Sequence, residues 1–124
     1  AYSVAGINGL VFVIFHSFVS IILLELVNYI QHYGLERKKE NGRYERFTDL
    51  HSWNSRHISA NWSTFNLGLH AEHHQSASKP YPLLSQEEKA IEMLANYSVM
   101  LIMALIPPLW FFIMDRKIDN LKTI

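Results

Sequence analysis

The chain has no cysteine, which excludes a disulfide framework, a thiolate metal site and a cysteine nucleophile and leaves histidine and carboxylate as the available metal ligands. It has no excess of either charge: eleven Lys and Arg balance eleven Asp and Glu, and only 18% of its 124 residues are charged. Nothing in that balance asks for nucleic acid as a partner. Glycine and proline are scarce, at five and four, and there is no internal repeat or low-complexity tract. A chain of this length builds one domain at most. It opens without an initiator Met and without the basic start of a signal peptide, and it reads as the C-terminal part of a longer protein.

What the chain does have is hydrophobic mass, 49% of its residues. Residues 7–30 are almost wholly apolar, broken by Asn8, Gly9, His16, Ser17, Ser20, Glu25, Asn28 and Tyr29. A helix of about 20 such residues crosses the hydrocarbon core of a bilayer. The run is apolar all round, where a surface helix shows a polar stripe, so a membrane helix is expected rather than the core helix of a soluble protein. Glu25, Asn28 and His32 fall at i, i+3 and i+7 and share one face. A carboxylate inside a membrane helix marks a functional interior. His16 stands about 24 Å from His32 along a helix, too far to share its site, and reads as an interhelical hydrogen-bonding residue or a polar group of a substrate channel.

Beyond residue 34 the composition turns polar. Arg37, Lys38, Lys39, Arg43, Arg46 and Arg56 follow the apolar run closely, which places this segment on the cytoplasmic side. Asn41-Gly42 signals a turn within it. Most of these charges read as solvated, with a docking surface for an acidic partner as the sharper alternative. Residues 58–75 read as a helix given apolar mass by Trp62, Phe65 and Leu69. Pro80 and Pro82 mark a non-helical connector over 76–84. Ser85 and Glu88 fit a capping box, so a helix is expected over 86–106. Pro107-Pro108 then interrupts the apolar stretch 97–114, and the basic residues Arg116, Lys117 and Lys122 beyond it favour a segment that dips into the membrane interface and returns over a single crossing. The expected organisation is therefore a transmembrane helix over 1–33, a cytoplasmic segment over 34–84, and a capped helix with a membrane or interfacial stretch over 85–124. The fold class is all-α, an integral membrane helical protein.

The chemistry concentrates in His70, His73 and His74. On a helix these stand at i, i+3 and i+4, project from one face and converge on one or two metal ions; the plain alternative is a solvated histidine patch. His51 and His57 read as ligands, as groups orienting ligands, or as loop residues. Glu25, Asp49 and Glu72 are candidates to accept the second N–H of a ligating ring.

Five stretches in series carry a family likeness. Residues 28–35, running from Asn28-Tyr29 through His32-Tyr33-Gly34, come first, followed by Gly42-Arg43-Tyr44-Glu45 and His51-Ser52-Trp53-Asn54-Ser55. The others are His70-x-x-His73-His74 and the closing Pro107-Pro108-Leu109-Trp110-Phe111. Together they resemble the C-terminal part of the membrane-bound non-haem di-iron alkane 1-monooxygenases, of the fatty acid desaturase and hydroxylase superfamily. The resemblance implies a bacterial inner-membrane enzyme with two non-haem irons near the cytoplasmic face. Such an enzyme uses O2 to hydroxylate the terminal carbon of an alkane, with electrons from rubredoxin and rubredoxin reductase. It implies His32, His70, His73 and His74 as iron ligands, with Asn28 facing the iron directly or through water. Gln31 stands where the family has Glu, and Gly68-Leu69 where it has Gln-Arg. The family's two other histidine motifs are absent from these residues and are expected upstream, so the chain alone is expected to be inert. A fatty acid desaturase or hydroxylase of the same superfamily is the alternative within enzymes, on an acyl substrate. A membrane haem- or metal-binding protein without turnover is the alternative outside them.

Overall fold

The computed structural model describes residues 2–85 and 90–122. It is mostly helical, with one long apolar helix, α1 (Tyr2–His32), broken only at Gly6. From Ala5 to His32 this helix is long and apolar enough to cross a membrane, with a mean hydropathy of 2.5 over its most apolar window. Nothing else among the described residues covers that window; Phe12, Phe15 and Leu24 are 66%, 65% and 64% exposed. An apolar cylinder left this bare in water forfeits the burial that stabilises a helix, so its cover lies in lipid or in other protein.

Past α1 the chain turns through a hairpin of β1 (Lys39–Glu40) and β2 (Arg43–Tyr44), antiparallel with Lys39 opposite Tyr44. Asn41 and Gly42 both have positive φ, at 51° and 80°, which is the two-residue hairpin turn that an Asn-Gly pair favours. The short strand β3 (Trp53–Asn54) pairs in parallel with β4 (Ile91–Glu92). Between them lie α2 (Ile58–Ser63), α3 (His70–Gln75) and a single 3-10 turn over Tyr81–Leu83. The chain closes with α4 (Tyr97–Ala104) and α5 (Pro107–Lys122).

The core forms where the end of α1 meets β3, α4 and α5: Ile30, Trp53, Met93, Tyr97, Met100, Trp110, Met114 and Ile118. Tyr33 stitches this end of the molecule together, its carbonyl accepting from Trp53 Nε1 at 2.8 Å and its hydroxyl donating to Asp115 Oδ1 at 2.6 Å.

Two helix expectations differ from the structure. The helix expected over 58–75 is split into α2 and α3, because Phe65 and Asn66 take left-handed backbone conformations, at φ 52° and 60°. Gly68 is also packed so closely that a Cβ would lie 2.1 Å from Asn61 Oδ1 and 2.9 Å from the Ser55 carbonyl. Among the described residues, the helix expected over 86–106 is seen only from Tyr97, where Asn96 caps it by accepting from the Val99 amide at 3.0 Å. Ile91–Glu92 form a strand instead, and Ser85 donates to the Glu72 carboxylate. Glu88, the second residue of the expected capping box, lies outside the described residues. Pro107-Pro108 open α5 just after the break that follows α4, where proline is tolerated because the first turn of a helix has no use for its missing N–H.

Candidate metal centre

The site is assembled by one buried pentapeptide, His51-Ser52-Trp53-Asn54-Ser55, every residue of which is removed from solvent. Each end of it grips a different helix. The His51 carbonyl lies 3.2 Å from His32 Nδ1 in the last turn of α1. Asn54 Oδ1 accepts from the Ala71 amide at 3.0 Å, satisfying a donor that the start of α3 leaves free. The Ser55 amide donates to the Gly68 carbonyl at 2.9 Å, and Asn61 Nδ2 to the Ser55 carbonyl at 2.8 Å. From the other side, buried Gln31 donates to the Leu67 carbonyl at 3.1 Å and to Tyr97 Oη at 2.5 Å. The end of α1 and the start of α3 are therefore pinned to each other.

That pinning brings three imidazoles to one point. His70 Nε2 lies 3.0 Å from His32 Nε2 and 2.8 Å from His74 Nε2. The candidate ligand atoms of all three lie within 4.8 Å of one another. A carbonyl only accepts, so His32 carries its proton on Nδ1 and turns a bare lone pair on Nε2 toward the other two rings. Lone pairs so close repel unless a proton or a cation lies among them. A divalent metal about 2.1 Å from each imidazole nitrogen sets cis ligands roughly 3 Å apart, so the donor set and its spacing fit a metal ion.

Protonation favours the same reading. Burial, then the neighbouring His74, His32 and His73, push the His70 imidazole down from its ordinary 6.5 to about 3. Burial and then His32, His73 and Arg37 lower His74. Both rings are thus held in the neutral form that binds metal. Phe47 stacks on His74 with centroids 4.5 Å apart and meets His32 edge-on at 6.1 Å. A cavity of about 360 Å3 bounded by His32, Leu35, Arg37, Phe47, His51 and His74 opens onto the cluster. A larger hollow of about 960 Å3 between α5 and residues 33–38 touches none of the three histidines.

The other residues singled out in the sequence are placed as follows. His73 turns off the shared face, stacking on Tyr81 at 5.1 Å, and its buried Nδ1 has no hydrogen-bond partner among the described residues. Asn28 and Glu25 are exposed on α1, and Glu25 is not among the residues whose ligand atoms gather with the three histidines. Glu72 is bound to Lys79 and Ser85, not to a histidine. Burial opposes ionisation there, yet Lys79 and the Ser85 donors hold its carboxyl below the usual range. Asp49 accepts from Gln75 Nε2 at 2.5 Å, tying the loop to the end of α3. His57 is an exposed residue at the start of α2. His51 acts through its backbone; its ring faces Glu45 and Thr48. His16 is exposed beside Phe12. Gln31, which stands where the family has Glu, lies in this network as a buried donor; Glu45 and Phe47 carry no signal in the sequence beyond the Thr48-x-x-His51 spacing of a turn.

A family model of the fatty acid desaturases matches residues 1–113. The chain belongs to the fatty acid desaturase family. Within that family it is 45% identical over 114 residues to alkane 1-monooxygenase 1 of Pseudomonas aeruginosa, a match covering 91% of this chain and 30% of that protein. It is 41% identical over 115 residues to alkane 1-monooxygenase 2 of Alcanivorax borkumensis, covering 92% and 30%. It is 38% identical over 117 residues to the alkane 1-monooxygenase of Acinetobacter baylyi, covering 94% and 29%. This desaturase-family chain spans about 30% of the length of these curated relatives.

Proposed function

We propose that the chain is the C-terminal part of a membrane hydrocarbon monooxygenase that hydroxylates terminal C–H bonds with O2 at a histidine-ligated di-iron centre. The observation that carries this reading is the convergence of His32, His70 and His74, three imidazole donors meeting at the end of an apolar helix. The identity to alkane 1-monooxygenases supports the substrate class. Iron held there would supply the activation of dioxygen; residues outside this chain would complete the ligand set, and His73, whose buried Nδ1 has no partner among the described residues, would join it only by turning from Tyr81. Neutral imidazoles leave the metal cationic and oxidising, which suits an unactivated C–H bond.

The chain's own residues prepare that chemistry. The His51 carbonyl fixes the His32 tautomer and ring plane. Burial keeps His70 neutral. The Phe47 ring stacks on one face of His74 and helps set its ring plane. We place α1 in the bacterial inner membrane with His32 near the cytoplasmic face, because the basic loop follows it directly. An alkane dissolved in the bilayer would then meet the site where the apolar run ends. Rubredoxin with its reductase is the proposed electron source.

A haem held by two histidines has them on opposite sides of the iron, whereas these nitrogens face one spot with neighbours at 2.8 and 3.0 Å. The family match alone leaves a fatty acid desaturase or hydroxylase as the second reading. Product analysis decides between them: full-length protein in membranes, given reductant, octane and a fatty acyl substrate, is expected to form 1-octanol. Formation of an unsaturated or hydroxylated acyl product alone would replace the alkane assignment.

A further inference from the structure

We infer that Glu45 is a positioning residue for the metal ligand His32 and acts on it through His51; this rests on the metal-site reading above. In the sequence Glu45 is one of several loop charges, but its surroundings set it apart. Its Oε1 accepts from the Lys38 amide at 2.6 Å, and the Glu45 amide donates back to the Lys38 carbonyl at 2.9 Å. The carboxylate is thereby fixed to the base of the β1–β2 hairpin and does not sweep through solvent. The same oxygen lies 3.1 Å from His51 Nε2.

The direction of that contact follows from the other ring nitrogen. The Thr48 amide donates to His51 Nδ1 at 2.9 Å, so Nδ1 is the acceptor and Nε2 carries the proton, which it donates to Glu45. His51 is then held at four points: its ring at Glu45 and Thr48, its amide by the Thr48 carbonyl at 3.1 Å, and its carbonyl by His32. The carbonyl is the acceptor that selects the His32 tautomer with Nε2 bare toward His70. A backbone acceptor orients a ligand only as well as its own peptide is held, and Glu45 is the charged anchor of that peptide. Second partners of metal-bound histidines typically change metal affinity by 10 to 100-fold.

The test uses full-length protein loaded with Co2+, read by chelator-driven metal release and by the ligand-field absorption spectrum. Glu45→Ala is expected to release metal about tenfold faster or more and to alter the spectrum, whereas Glu45→Gln, which keeps an acceptor oxygen, stays within roughly threefold of wild type. His51→Phe keeps the ring bulk and the carbonyl but cuts the link to Glu45. It is expected to match Glu45→Ala, the double variant being no worse than either, and it carries the test should Glu45→Ala fail to fold. Glu40→Ala, exposed on the same hairpin, is expected to behave as wild type. Wild-type release and spectrum in Glu45→Ala or His51→Phe, equal loss in Glu40→Ala, or no rescue by Gln overturns the positioning role alone. A wild-type protein that retains no metal overturns both this role and the metal-site reading.

Discussion

His32 closes the long apolar helix and His70 opens a helix of six residues 38 positions later, yet their Nε2 atoms stand 3.0 Å apart. Because the pair is held by backbone and amide contacts, each ligand is expected to matter individually. Alanine at His32, His70 or His74 in the full-length protein should lower bound iron about tenfold or more and abolish turnover. His16→Ala, exposed on α1, should leave iron content unchanged. Metal analysis of the purified variants checks both.

Acidification should loosen the metal-free protein through His70. Its folded value of about 3 lies below the ordinary 6.5, so as pH falls from 6.5 toward 3 the unfolded chain takes up a proton that the folded chain refuses. The stability associated with the neutral ring is present above 6.5 and is lost across that window. Thermal melts of the metal-free full-length protein should therefore fall more steeply with pH in wild type than in His70→Gln, which has no group to titrate.

The approach of Gly68 to Ser55 and Asn61 sets where α3 begins. Gly68→Ala forces a methyl against the Ser55 carbonyl, and overpacking of this kind costs about 1–3 kcal/mol. Both the melting temperature and the iron content should drop, since the strain falls two residues before His70.

Gln31 donates from its amide to the Leu67 carbonyl in a site 2% exposed. Gln31→Glu replaces that donor with a carboxylate that only accepts, so the carbonyl keeps only the longer 3.3 Å bond from the Tyr97 hydroxyl and the buried carboxylate loses a partner, at a cost of about 1–3 kcal/mol. The variant should melt earlier at neutral pH. An unchanged melting temperature would show that the Gln31 bond does not hold the two helices together.

Much of the fold and part of the candidate site can be read from residue spacing. The i, i+4 separation of His70 and His74 puts them on one helical face, the apolar run ends at His32, and Asn41-Gly42 makes its hairpin turn. What spacing does not give is which way a six-residue helix is rotated. His73 also lies within reach of that face at i+3, but Tyr81 and the connector take it up. Nor does it locate acceptors that are backbone atoms, such as the His51 carbonyl, or the Glu45 contact that depends on how a hairpin folds back. The break between α2 and α3 leaves only Asn66 and Gly68 as its trace, and the apolar pattern around them reads through it as helix. The strand at Ile91–Glu92 exists because Trp53–Asn54 lies beside it, a pairing that no local preference announces.

The most direct test is iron analysis, with an optical spectrum, of purified full-length protein and of the His32→Ala, His70→Ala, His74→Ala triple variant. The account predicts two non-haem irons per wild-type chain, no Soret band, and loss of iron in the variant. Wild-type iron in the triple variant, or a haem spectrum in place of non-haem iron, would contradict it.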